Sequence, residues 1–217
     1  MTTPPRIALI HALKHSIAPI EAAFARVWPQ PRLMNLLDDS LSGDLARDGK
    51  LTEPMTERFL SLGRYVSGTG ANGILFTCSA FGPCIDAVAR TYAPMPVLKP
   101  NEAMIEQAVA KGNKIGLLST FQPTLDSMPR EFPASVEIVP KLAKGALAAL
   151  DRGDRAMHDR LVTEASKDLR SCDVIALAQF SMAPAAAMVA EATGRPVLTT
   201  PDSAVLKLKA ALAPAAA

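Results

Sequence analysis

The sequence predicts an α/β fold of two pseudo-symmetric units, each a parallel four-stranded sheet flanked by helices. Two observations support this prediction. Short aliphatic or β-branched runs alternate with longer helical patterns along the 217 residues, and this alternation is the order that builds parallel sheets. Motifs of the first half also return in the second half at nearly constant spacing. The economical interpretation is therefore two copies of one small α/β unit.

Strands are predicted at the short aliphatic runs, and helices at the longer stretches between them. The predicted strands are, in order, Arg6–Ile10, Arg32–Leu37, Gly73–Thr77, Met95–Leu98, Lys114–Leu118, Val136–Val139, Asp173–Leu177 and Pro196–Leu198. The predicted helices are Ile17–Trp28, Leu51–Ser67, Pro83–Tyr92, Glu102–Lys111, Pro123–Glu131, Gly145–Leu150, Asp154–Ser171, Pro184–Thr193 and Asp202–Leu212. In each half, strands and helices therefore alternate four times.

The internal repeat is clearest around the third strand of each half. The segment 73–83, GILFTCSAFGP, is answered by the segment 174–184, VIALAQFSMAP, and each is followed by a helix and a Pro-Val-Leu strand. The repeat aligns Cys78 with Gln179, 101 positions later. It predicts a first unit over 1–100 and a second over 101–201, with the C-terminal helix 202–217 packing back on the first unit.

The composition of the chain excludes several classes of protein. Apolar residues make up 49% of the chain, so it can bury a core and is not disordered. Lysine and arginine number 23 against 21 acidic residues and form no cluster, which argues against nucleic acid as a partner. Three cysteines form no paired framework, which is typical of a reducing compartment. Because no signal peptide or long apolar stretch is present, we expect a cytoplasmic protein without a membrane partner.

The candidate site follows from the predicted topology. Ligands of open α/β sheets bind outside the carboxyl ends of the strands, so we expect a cleft between the two units that is lined by the residues just past these ends. The candidates are His11, Cys78 and Ser79 in the first unit, and Ser119, Thr120, Phe121, Gln179, Phe180 and Ser181 in the second. Asp38, Asp39 and Ser40 follow the second strand, where capping or solvation explains them.

Cys78 is the candidate with the most chemistry. It follows an apolar strand and precedes a helix that Pro83 begins, and a helix N-terminus favours the thiolate and lowers the pKa of a thiol. The alternative is that Cys78 is a small buried hydrophobe. Cys84 and Cys172 are expected to be structural, and His158 is expected on a solvated helix face. Thr120 and Thr124 start a helix whose N–H groups and hydroxyls favour either a substrate carboxylate or simple capping.

Three other motifs fail on context. The segment 68–73 matches G-x-G-x-x-G but follows a helix and precedes a strand, which is the reverse of what a dinucleotide site needs. His11 and His15 have no third ligand at metal-binding spacing, so we expect no metal. A G-x-S-x-G elbow is absent, which leaves a serine hydrolase without support.

The motifs that close the strands resemble those of the aspartate/glutamate racemase superfamily, which also contains hydantoin racemases, maleate isomerases and arylmalonate decarboxylases. The resemblance rests on Thr77-Cys78-Ser79, Leu118-Ser119-Thr120 and the segment 177–183, LAQFSMA. It implies two flavodoxin-like units and chemistry at a carbon beside a carboxylate of a small acid, without metal or organic cofactor. A homo-oligomer is a further implication.

The sequence departs from this family at one position. In members with two bases, one cysteine stands at the position of Cys78 and a second at that of Gln179, and an amide cannot exchange protons near neutral pH. The resemblance then leaves three reactions open: racemisation with another base such as His11, cis–trans isomerisation through addition of Cys78 to an alkene, or decarboxylation of a malonate-like acid with Cys78 as the proton donor. A binding protein for small carboxylates that has lost catalysis is the competing hypothesis. Gln179 is expected to donate its NH2 group to a carboxylate or an enolate.

Overall fold

A computed structural model describes residues 3–213. Over this range the chain forms eight strands, which all lie in two parallel four-stranded sheets. The strands are β1 (Arg6–His11), β2 (Arg32–Leu37), β3 (Gly73–Phe76), β4 (Val97–Leu98), β5 (Lys114–Ser119), β6 (Glu137–Leu142), β7 (Val174–Leu177) and β8 (Val197–Thr199). The predicted α/β fold class is therefore confirmed.

Ten α-helices connect and follow these strands within the described range. They are α1 (Ile17–Val27), α2 (Leu41–Asp48), α3 (Glu53–Gly68), α4 (Gly82–Tyr92), α5 (Glu102–Lys111), α6 (Gln122–Ser127), α7 (Ala146–Asp151), α8 (Arg155–Ser166), α9 (Ala186–Thr193) and α10 (Thr200–Ala211). None of these helices combines the length and the apolar character that a membrane span requires.

The two sheets have the same topology. The strand order is β2-β1-β3-β4 in one and β6-β5-β7-β8 in the other. The register is also equivalent, since Ile7 pairs with Gly73 in the first sheet and Ile115 pairs with Val174 in the second. The central strands β3 and β7 are buried throughout, whereas the edge strands β2 and β6 are partly exposed. This burial matches the near-continuous aliphatic sequences that parallel sheets covered on both faces require.

The described chain divides into two compact units. The first comprises residues 3–100 and 201–213, and the second comprises residues 101–200. Most of α10 therefore belongs to the first unit, where Leu208 and Leu212 lie against Gly73 of β3. In the second unit, Met104 and Ala108 of α5 join the hydrophobic core around Ile115. Residues 214–217 of the predicted C-terminal helix lie outside the described range.

The main difference from the predicted elements is α2, which the sequence patterns did not indicate. Its eight residues include Gly43 and two aspartates, all of low helix propensity. The helix forms because Leu41 and Leu45, four residues apart, are both buried, and Gly49 ends it with a left-handed φ of 67°. Tertiary packing therefore outweighs propensity here.

Candidate functional site

Cys78 lies directly beyond β3, at the carboxyl end of a central strand. Its backbone is still extended, and the chain then turns through a short 3-10 helix, Ser79–Phe81, into α4. The backbone N–H of Ala80 and the hydroxyl of Ser42, on α2, hydrogen-bond the sulfur. The residue is only 9% exposed. The thiol is thus enclosed by its own turn and by α2.

Burial decides the protonation of Cys78. Desolvation raises the pKa of this thiol to about 11, although the hydrogen bonds from Ala80 and Ser42 oppose the shift. The predicted lowering of this pKa by the helix start is therefore wrong. The donors near the sulfur compensate only part of the cost of burying a thiolate. At neutral pH the side chain is a protonated thiol, which is a proton donor rather than a base.

His11, at the end of β1, is fully buried and has a partner at each ring nitrogen. Its Nε2 lies 2.9 Å from Oδ1 of Asn35, and its Nδ1 lies 2.7 Å from Oγ1 of Thr77. The Nδ2 group of Asn35 donates to Glu21 over 2.7 Å, which turns the amide oxygen toward His11. His11 Nε2–H is therefore the donor to Asn35, and Nδ1 accepts from the Thr77 hydroxyl.

Burial also lowers the pKa of His11, against the opposing effects of the Asn35 hydrogen bond and the charge of Glu21. The ring is thus held neutral in one tautomer, next to the residue that precedes Cys78. With both nitrogens engaged, His11 has no lone pair or proton left for a substrate. Its predicted contact with substrate stays a prediction, and the geometry favours a role in ordering the end of β1 and β3.

Gln179, at the carboxyl end of β7, is held by a set of donors in the second unit. Its Oε1 accepts hydrogen bonds from the Thr120 backbone N–H at 2.7 Å, from Thr120 Oγ1 at 2.8 Å and from Ser119 Oγ at 2.9 Å. Ser119 is the last residue of β5, the strand next to β7, and Thr120 follows it. The hydroxyl and N–H groups that the sequence analysis assigned to a substrate carboxylate therefore bind the amide oxygen of Gln179. The Nε2H2 group is left as the donating end of the side chain.

The remaining candidates differ in what they present. Ser181 is 1% exposed, and its hydroxyl has no hydrogen-bond partner among the described residues. Phe180 is fully buried, and Phe121, 8% exposed, donates its backbone N–H to Ser119 Oγ over 3.1 Å. Ser79 is buried in the 3-10 helix after Cys78. A buried hydroxyl without a partner is costly, so Ser181 is the strongest of these as a ligand contact.

Three residues have buried or polar contacts that the sequence analysis did not predict. Asn35 stands inside the aliphatic run RLMNLL of β2, and a polar residue in such a strand is the signal that would have indicated it. Ser42 lies in the unpredicted helix α2, so no pattern placed it near Cys78. His158 was expected on a solvated face but is fully buried, with Nδ1 2.6 Å from Asp159 Oδ1. Its place in α8, one turn before buried Val162, explains the error.

Comparison with known proteins identifies the family. The family model described as Asp/Glu/Hydantoin racemase matches residues 20–208, which is most of the chain. The chain therefore belongs to the Asp/Glu/hydantoin racemase family. The match includes both Cys78 and Gln179 and begins after β1. No curated protein matches the chain.

Solved structures show the same fold at low sequence identity. Glutamate racemase isoform RacE1 from Bacillus anthracis aligns with a TM-score of 0.76 and 13% identity over 97% of this chain and 82% of its own. Allantoin racemase from Klebsiella pneumoniae gives 0.69 and 18%, over 95% and 86%. A liganded double mutant of arylmalonate decarboxylase gives 0.65 and 17%, over 97% and 94%. The family thus includes racemases, and the fold also occurs in a decarboxylase.

Proposed function

We propose that the protein is a cofactor-independent racemase or isomerase that moves a proton at the carbon next to the carboxylate of a small acid, with Cys78 as the acid/base group. The observation that carries this proposal is the place of the thiol at the carboxyl end of β3 in a chain of the racemase family. Cys84 and Cys172 are fully buried, Cys84 against Thr56 and Cys172 beside Gly116. Neither follows a central strand, so neither replaces Cys78.

The carboxylate of the substrate is proposed to bind the Nε2H2 group of Gln179 and the hydroxyl of Ser181. The amide is fixed by its three accepted hydrogen bonds, so its donating end is oriented before a ligand arrives. The buried Ser181 hydroxyl adds a donor that has no partner within residues 3–213. That these groups act on the same substrate as Cys78 remains a prediction from the sequence.

The proton balance of the racemase reaction is simple. The Cα–H bond breaks, its proton passes to the sulfur, and the electron pair is held as an enolate of the carboxylate; return of a proton to Cα completes the turnover. Cys78 first has to give its own proton to solvent water, and its raised pKa makes this step unfavourable at neutral pH. Gln179, Ser119 and Thr120 contain no group that ionises near neutral pH, so none of them is a second base.

The protonated thiol favours a second candidate, decarboxylation of a malonate-like acid. In that reaction the bond from Cα to one carboxylate breaks, CO2 leaves, and the bonding electron pair stays on the remaining acid as an enolate. The enolate takes one proton from Cys78, and the thiolate that results takes a new proton from solvent. A thiol with a pKa of about 11 is already in the required state. The similarity of fold to arylmalonate decarboxylase is consistent with this candidate.

Proton NMR in D2O over a panel of amino acids, hydantoins, maleate and malonates tests both candidates. A racemase or isomerase incorporates deuterium or interconverts isomers without losing carboxylate, whereas a decarboxylase releases CO2 and leaves one deuterium in its product. Either activity should disappear in Cys78→Ala and persist in Cys172→Ala, the matched removal of a buried thiol. Activity that survives Cys78→Ala undiminished would contradict the assignment. Thermal stabilisation by a carboxylate without any turnover would instead support the binding protein.

A further inference from the structure

Helix α2 is the element that brings a side chain from outside the Cys78 turn to the sulfur. Ser42, in its first turn, hydrogen-bonds the Cys78 sulfur and also donates to the carbonyl of Ala12 over 3.1 Å. Ser42 is 5% exposed, and Leu41 and Leu45 of the same helix are buried beside it. Helix α2, whose residues have low helix propensity, is thus packed with Ser42 against the Cys78 sulfur.

Arg58 of α3 holds both the start of α2 and the loop before it. Its Nη1 lies 2.6 Å from Oδ2 of Asp44, in α2, and its Nη2 lies 2.8 Å from Oδ1 of Asp38 and also binds the Ser40 hydroxyl. The hydrogen bond from Arg58 lowers the pKa of Asp44, so this carboxylate stays charged and paired. One guanidinium thus bridges a carboxylate of α2 and a carboxylate of the loop before it.

The Ser42 hydroxyl has one proton and two neighbours that can accept it. While Cys78 is a thiol, the hydroxyl donates to the Ala12 carbonyl, and its oxygen can accept from the S–H group. When the sulfur loses its proton, the same hydroxyl can turn and donate to the thiolate, as the Ala80 N–H group already does. A hydrogen bond to a charged acceptor is stronger than one to a neutral carbonyl, so the turn stabilises the thiolate selectively.

We propose that Ser42 is a further catalytic residue, which stabilises the Cys78 thiolate, and that Arg58 is the positioning residue that holds α2 and Ser42 over the sulfur. The inference rests on the proposed role of Cys78, but it concerns contacts that exist without substrate. Removal of the Ser42 hydroxyl deletes a donor and leaves α2 in place over the sulfur. Removal of the Arg58 guanidinium releases α2, and water then reaches the sulfur. The two changes should therefore have opposite effects on the reactivity of Cys78.

Alkylation by iodoacetamide, followed by peptide mass spectrometry from pH 7 to 10, measures this reactivity in the full chain. Ser42→Ala should slow modification of Cys78 about tenfold at each pH, because loss of one hydrogen bond to the thiolate reduces the thiolate fraction by this order. Ser61→Ala, which removes an exposed α3 hydroxyl bonded to the Glu57 carbonyl, is the control and should change nothing. A rate in Ser42→Ala equal to or above that of the unsubstituted protein would overturn the role of Ser42.

Arg58→Gln should accelerate modification of Cys78 about tenfold, and Arg58→Lys should restore most of the original rate, since an ammonium still pairs with one carboxylate. Asp44→Asn tests the same contact from α2 should Arg58→Gln not fold. Arg47→Gln is the control, because Arg47 pairs with Asp44 and Asp48 inside α2 and not with α3. Equal acceleration at Cys172, or none at Cys78, would overturn the role of Arg58. Because alkylation needs no substrate, a failed activity screen leaves this result unaffected.

Discussion

Two substitutions of Gln179 distinguish the role of its amide oxygen from the role of its NH2 group. The oxygen accepts three hydrogen bonds within the second unit, from Thr120 N–H, Thr120 Oγ1 and Ser119 Oγ, while the NH2 group is the end proposed to bind substrate. Gln179→Ala removes both ends. Gln179→Glu keeps an oxygen acceptor for the three donors and replaces the NH2 group with a second oxygen. The free energy of unfolding should therefore depend on the oxygen, and substrate binding should depend on the NH2 group.

The magnitude follows from the three contacts. A typical hydrogen bond contributes about 0.5–1.5 kcal/mol net, and an unpaired buried donor costs about 1–3 kcal/mol. In Gln179→Ala the Ser119 hydroxyl can still donate to the Phe121 carbonyl, 3.0 Å away. The two donors that lose their acceptor are therefore those of Thr120, a residue that is only 7% exposed. The expected decrease in the free energy of unfolding is about 2–4 kcal/mol. Gln179→Glu should lose less than half of this at pH 7.5.

Urea unfolding monitored by circular dichroism measures both variants. At pH 7.5 the carboxylate introduced by Gln179→Glu can accept hydrogen bonds from the same three donors. Activity should be lost in both variants, because neither has the NH2 donor. Equal destabilisation by Ala and Glu at pH 7.5 would refute the anchoring role of the oxygen.

Two further predictions concern packing and pH. A Cβ at Gly63 would lie 2.8 Å from Cγ1 of fully buried Val88, so Gly63→Ala should lower the free energy of unfolding by about 1–3 kcal/mol. A Cβ at Gly43 would have no atom within 4 Å, so Gly43→Ala should raise the free energy of unfolding by about 0.5–1 kcal/mol. Urea titration of the two variants measures both changes. The lowered pKa of His11 means that its unfolded form binds more protons. The stability it supports is therefore complete above pH 6.5 and decreases as pH falls below this value, and His11→Asn should remove this part of the decrease between pH 7.5 and pH 5.5 in the same assay.

The fold could be predicted because buried parallel strands leave a strong local signal. The predicted bounds of β2 and α5 agree with the structure at both ends, and β1 and β5 differ by one residue at the carboxyl end. Weak local signals account for the differences elsewhere. The predicted helix from Pro184 starts at Ala186, because residues 180–185 first form a 3-10 helix. The helix α2 depends on long-range burial and on Arg58, neither of which local sequence reveals.

The positions of Cys78 and Gln179 at strand ends could be predicted from the sequence, but the electrostatics of Cys78 could not. Topology alone places Cys78 past the end of β3 and Gln179 past the end of β7, each at the carboxyl edge of its own parallel sheet. The protonation of Cys78 depends on what encloses the sulfur, and the enclosing α2 was not predicted. A helix start is therefore a poor guide to thiol pKa when a second element excludes water from the sulfur.

The internal repeat explains why the two equivalent positions differ in chemistry. Ser119 ends β5 and Thr120 follows it, and the equivalent residues of the first unit are His11, which ends β1, and Ala12. Thr120 supplies a backbone and a hydroxyl donor to the side chain at 179, whereas Ala12 has no side-chain donor and its carbonyl accepts from the Ser42 hydroxyl. A group at 179 is thus surrounded by donors and suits a fixed hydrogen-bond acceptor. The group at 78 has fewer donors and is desolvated, and these surroundings keep the proposed proton carrier neutral.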